Sequence, residues 1–80
     1  MDKMFGIDYD YFSKKLLNEN ERMVLNTVDI SLLVDPETHS ISRIVYFSDI
    51  PNPKQMIEQD QIIDRFINRL YKDQEVQLLI

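Results

Sequence analysis

Eighty residues with no cysteine leave room for one hydrophobic core and no disulfide to reinforce it, since a chain this short buries only about 60% of the surface it exposes when unfolded. An apolar share of 44%, with four Phe and four Tyr, is enough to build that core and argues against disorder. Fourteen acids against nine bases give a net charge of −5, which repels nucleic acid phosphates and excludes direct nucleic-acid binding as the expected role.

Taken from the N-terminus, the first apolar positions, Phe5, Tyr9, Phe12 and Leu16, recur at helical spacing. With Asp8 as a cap and Lys14 and Lys15 near the far end, they predict a short helix over residues 8–18. Residues 23–34 then alternate: Val28, Ile30, Leu32 and Val34 fall on one face and Thr27, Asp29 and Ser31 on the other, the pattern of a half-buried strand. Asp35, Pro36, Glu37, Thr38 and His39 follow with turn formers among them, and a second β-rich run covers residues 41–50. The two runs read as an antiparallel hairpin, with His39 where such a loop wants a left-handed backbone.

The register follows from the pattern, because a slip by one residue exchanges the two faces of a strand. Pairing Val34 with Ile41 sets Leu32 against Arg43, Ile30 against Val45 and Val28 against Phe47, an apolar face broken only by Arg43. The reverse face then carries Thr27, Asp29, Ser31 and Leu33 beside Ser42, Ile44, Tyr46 and Ser48.

A long helix begins at Pro53. Asn52 is its cap, Pro53 suits the first helical position, and Gln55 sits where a capping box places Glu or Gln. At 100° per residue, Met56, Ile57, Ile62, Ile63, Phe66, Ile67, Leu70 and Tyr71 form a broad apolar arc. The acids Glu58, Asp60 and Asp64 precede the bases Arg65, Arg69 and Lys72, the order the helix dipole prefers. Beyond it, Val76, Leu78 and Ile80 alternate with Gln77 and Leu79, which suits a short third strand, with continued helix as the competing reading. The expected architecture is a single α+β domain over residues 1–80 in the order α-β-β-α-β. In it an antiparallel hairpin, extended by a candidate C-terminal strand, packs against one long helix and a short N-terminal one.

Few residues can carry chemistry. Gly6 is the only glycine, so the multi-glycine loops that cradle phosphates are absent. His39 is the only histidine and falls on a turn, without a second imidazole or thiol for a metal or a nucleophile to activate. Asp60 and Asp64, one helical turn apart, are the best pair for a divalent cation or for acid–base work. Both also fit the acidic first half of a dipole-matched helix, and Asp60 falls within the apolar arc. The chain is therefore read as non-catalytic, with no cofactor, metal or catalytic residue assigned.

Its expected work is contact. Acids recur two apart at Asp8/Asp10, Glu19/Glu21, Asp35/Glu37, Glu58/Asp60 and Asp73/Glu75, and extended backbone would space such carboxylates about 6.6 Å apart, in imitation of phosphates. The first forty residues hold eight acids and four bases (−4), the rest six and five (−1). This selects Asp8, Tyr9, Asp10, Tyr11, Glu19, Glu21, Asp29, Asp35 and Glu37 as candidate partner contacts. Leu33, Ile44 and Tyr46 among Ser and Thr have the make-up of a second binding patch, unless the N-terminal helix covers it, the reading that its apolar stripe favours. Open sheet edges make a homodimer available.

The function expected is that of a small acidic protein-binding module, a regulator or inhibitor of the phage or mobile-element type. Its partner would be a larger protein with a basic nucleic-acid-handling groove. An oligomeric structural protein assembling through its sheet is the alternative, and a carboxylate-metal enzyme a distant one. With no basic-then-apolar leader and no long uncharged run, a cytoplasmic location and no membrane partner are expected.

Overall fold

The computed structural model describes residues 4–79. It is an α+β arrangement of a three-stranded antiparallel sheet, in the order β1-β2-β3, and four helices. Strand β1 (Phe5–Ile7) is followed by helices α1 (Tyr9–Leu16) and α2 (Glu19–Val24), the hairpin strands β2 (Val28–Asp35) and β3 (Ser40–Phe47), and helices α3 (Pro53–Lys72) and α4 (Gln74–Leu79).

The hairpin forms in the register that its alternation dictates. Val34 faces Ile41, Leu32 faces Arg43, Ile30 faces Val45 and Val28 faces Phe47. Within the loop His39 has φ 61°, and its N–H donates to Asp35 O at 2.8 Å, closing the turn. Helix α3 starts as its sequence prescribes: Asn52 Oδ1 accepts from the Gln55 N–H at 2.8 Å while Gln55 Oε1 accepts from the Asn52 N–H at 3.3 Å, the reciprocal bonds of a capping box. Asp8 caps α1 by accepting from the Tyr11 N–H.

The third strand is not where the C-terminal alternation puts it. Residues 74–79 are helix α4, and residue 80 lies outside the described residues. Asp73 decides this, because its Oδ1 accepts from the N–H groups of Glu75 and Val76 at 2.9 and 3.2 Å and so starts a new helix where α3 stops. The sheet takes its third strand from the other end of the chain, where Phe5, Gly6 and Ile7 pair with Val34, Leu33 and Leu32. Phe5 thus belongs to a strand and not to the helical stripe of Tyr9, Phe12 and Leu16.

The region between α1 and the hairpin also differs from expectation. Helix α1 ends at Leu16, and Asn18 opens a second helix through a capping box with Glu21. Met23 and Val24, read as the start of a strand, complete that helix, and the strand begins at Val28. Strand β3 stops at Phe47, three residues short of the expected end, and Ile50 is 94% exposed.

One apolar cluster holds these elements together. Val28, Ile30, Leu32 and Val34 of β2 share it with Phe12 of α1, Ile62, Ile63, Phe66 and Leu70 of α3, and Val76 of α4. The Tyr9 ring meets Phe66 edge-on at 5.6 Å. The apolar arc of α3 is narrower than its pattern implies, since Met56, Ile57 and Tyr71 are exposed while the polar Gln59 is buried. Asp60 is exposed, which removes any role for it as a buried cap.

Candidate functional site

All core residues of β2 point to one side of the sheet, and the residues that alternate with them are left on a surface that no helix among the described residues covers. Along β2 the pattern is strict, Val28, Ile30, Leu32 and Val34 being buried, Asp29 and Ser31 exposed, and Leu33 half-buried. On β3, Ile44 is 42% and Tyr46 58% exposed. Helix α1, expected over this face, instead sends Phe12 into the core on the opposite side. The sheet is therefore covered once, and its outer face is open.

The register assembles that face in detail. Tyr46 stands opposite Asp29, Ile44 opposite Ser31, and Leu33 opposite both Ser42 on β3 and Gly6 on β1. Gly6 has no Cβ, and a Cβ placed there would meet nothing within 4 Å. The result is an apolar centre of Leu33, Ile44 and Tyr46 with hydroxyls around it and two charges, Asp29 and, at the hairpin end, Asp35. An aromatic anchor in a surface poor in charge is the composition of the middle of a protein interface.

The acidic candidates do not come together in this way, because most of their backbone is helical or turned and not extended. Asp8 is a helix cap, Asp10 pairs with Lys14 at 3.2 Å, and Glu19 lies exposed in the first turn of α2. Asp35 accepts from the Glu37 N–H inside the hairpin loop. Glu21 is buried, accepting from Arg69 at 2.9 Å and from the Asn18 N–H at 3.0 Å, with Arg65 at 3.9 Å. The Arg69 guanidinium, foremost among these, holds the Glu21 carboxyl below the usual range. Arg69 also donates to Leu16 O, so this cluster ties the α1–α2 junction to α3.

A second cluster, also at the C-terminal turn of α1, ties that helix to the α3–α4 junction. Lys15 Nζ lies 2.8 Å from Asp73 and 2.6 Å from Glu75, and the Tyr11 hydroxyl donates to the Glu75 carboxylate at 2.9 Å. Lys15 lowers both carboxyl pKa values, and the Glu75 carboxylate raises that of the Tyr11 phenol. Tyr9, half-buried against Phe66, belongs to the core margin. Of the twelve candidate contact residues, Asp29, Leu33, Asp35, Ile44 and Tyr46 are the five that share the outer side of the sheet, Asp35 at its hairpin end.

The Asp60–Asp64 pair is also divided. Asp64 is bonded to Arg43 of β3 at 2.5 Å, and no group of three or more metal-ligating side chains gathers among the described residues. One cleft that sequence reasoning did not anticipate, of about 230 Å³, lies between α2 and the start of α3, lined by Met23, Thr27, Gln55 and Gln59 among others. Gln59 is buried, donates from Nε2 to Val24 O at 3.4 Å, and leaves Oε1 unpaired. No helix among the described residues is long and apolar enough to cross a membrane. Comparison with protein-family models, with curated proteins and with solved structures finds no match to this chain.

Proposed function

We propose that this chain is a non-catalytic protein-binding module that docks on a larger protein through its outer sheet face, as a regulator or inhibitor does. The observation that carries this reading is the uncovered apolar centre of Leu33, Ile44 and Tyr46, with Tyr46 58% exposed. Keeping such side chains in water adds little to folding beyond their cross-strand contacts, whereas a partner that covers them gains from their burial. The acids contribute through long-range attraction to a basic partner more than through a row of phosphate mimics, since Glu21, Asp73 and Glu75 are already neutralised within the chain.

The test is affinity capture from extracts of the cells that carry the protein, comparing the wild type with a Leu33→Ser/Tyr46→Ser variant whose circular dichroism matches it. The expected result is a partner, identified by mass spectrometry, that the wild type retains and the variant loses. A partner retained equally by both would remove the outer face as the docking surface.

A further inference from the structure

The outer edge of β3 is a second interaction surface, and we infer that it pairs with β3 of another copy of this chain. In an antiparallel ladder, residues alternate between those that exchange bonds with the neighbouring strand and those whose N–H and C=O turn away from it. Ile41 fixes the phase, because its N–H leaves the sheet to donate to the Tyr71 hydroxyl at 2.7 Å. Arg43, Val45 and Phe47 share its phase and therefore turn their backbone groups outward, on the side of β3 where the described residues provide no further strand.

Exposed edges are ordinarily blunted by short length, proline, lysine or a bulge. The opposite edge of the sheet is blunted in the first way, β1 being three residues long. Strand β3 is blunted only in part, by Tyr71 at Ile41 and by Arg43, whose charge Asp64 takes up: it runs for eight residues, its pairing with β2 is unbroken, and residues 44–47 read Ile-Val-Tyr-Phe.

The occupant follows from the register that remains available. Tyr71 occupies the edge at Ile41, so the free span is Arg43 to Phe47 and its midpoint is Val45. A two-fold axis at Val45 sets Val45 against its own copy, Arg43 against Phe47 of the second copy, and Ile44 against Tyr46 of the second copy. The outward-facing residues then meet one another, as the hydrogen-bonding phase requires. Charge does not oppose this register within the span. The only ionic group of the span, Arg43, is paired with Asp64 in its own chain and meets an aromatic ring across the axis, so no like charges oppose one another. On the helix side a groove of about 410 Å³, lined by Ile41, Arg43, Asp64, Ile67 and Asn68, lies open beside this edge. The register delivers the second copy's Phe47, 38% exposed in the single chain, to that groove. On the other side the two outer faces fuse, each Ile44 beside a Tyr46.

Sedimentation of the full chain over a range of concentrations, with amide hydrogen exchange, tests this pairing. The wild type is expected to dimerise, with the amides of Arg43, Val45 and Phe47 slowing in exchange as concentration rises. Phe47→Lys, which sets a lysine against Arg43 of the other copy, should weaken association roughly tenfold or more, whereas Phe47→Glu should retain it. A wild type that stays monomeric, edge amides whose exchange ignores concentration, or equal weakening by both variants would each overturn the inference. It goes beyond the docking of a partner: Phe47 and Arg43 report on the edge and Leu33 on the face, with Tyr46 touching both, so either proposal can fail alone.

Discussion

His39 shows how a single residue carries a backbone requirement. Its φ of 61° is the left-handed conformation that L-residues other than Asn, Asp and His seldom adopt, and glycine enters at no steric cost. Glycine also loses more chain entropy on folding, which offsets part of the relief. His39→Gly should therefore stabilise the fold by about 0.5 kcal/mol, a rise of roughly 2–4 °C in Tm for a domain this size. His39→Val should lower Tm, because a β-branched side chain is least tolerated there. Thermal unfolding followed by circular dichroism checks both, and a fall for the glycine variant would count against strain at this turn. The position was legible in the sequence because a five-residue loop between two alternating runs leaves little freedom in where the chain must reverse. Tyr11 was not legible in the same way: its bond to Glu75 links residues far apart in the chain, with no local signal.

At the scale of elements, legibility tracked length and capping. The hairpin and α3 were readable because eight-residue and twenty-residue elements repeat their period often enough to exclude the alternative. Strand β1 and helix α2, at three and six residues, are too short for any period. The sign of α2 was its capping box, Asn18 with Glu21, the same device that marks α3 at Asn52 and Gln55. At the C-terminus a five-residue alternation was outweighed by one capping carboxylate, Asp73.

The carboxylates that fasten these short elements make them sensitive to acid. Arg69 holds the Glu21 carboxyl below its ordinary value, and Lys15 does so for Asp73. A depressed folded-state pKa contributes stability that is complete above the unfolded value and is lost as pH falls through the folded one. Stability should thus be level above about pH 5 and decline below it, and Glu21→Gln with Asp73→Asn should flatten that decline. Urea midpoints measured from about pH 7 down to pH 3 test the sign. Stability that rose on acidification would contradict it.

For the whole molecule, the decisive fact is that α1, α3 and α4 share one apolar core with the inward face of β2. The sequence defined the two faces of the hairpin correctly down to the residue, yet it could not say that α1 would join α3 on the same side. Either face offered an apolar surface to the stripe of Tyr9, Phe12 and Leu16. The choice rests on β1: once Phe5, Gly6 and Ile7 pair with β2, the connection to Asp8 is too short to carry α1 anywhere but the nearest side of the sheet edge, and Phe12 finds Phe66 and its neighbours there.

That arrangement divides the large side chains into two classes with different consequences. Phe66 is fully buried, and Phe66→Ala should cost about 3–5 kcal/mol, a large part of the roughly 4–12 kcal/mol that a chain of this length has in total. Tyr46, on the uncovered face, loses only a cross-strand contact on replacement, so Tyr46→Ser should cost no more than about 1 kcal/mol. Urea denaturation of the two variants decides the matter. If Tyr46→Ser proved as damaging as Phe66→Ala, the outer face would be part of the folding core and its service to a partner would lose its physical basis. If the costs divide as argued, the tyrosine is retained for something other than stability, and an exposed aromatic beside Leu33 and Ile44 has contact as its simplest use.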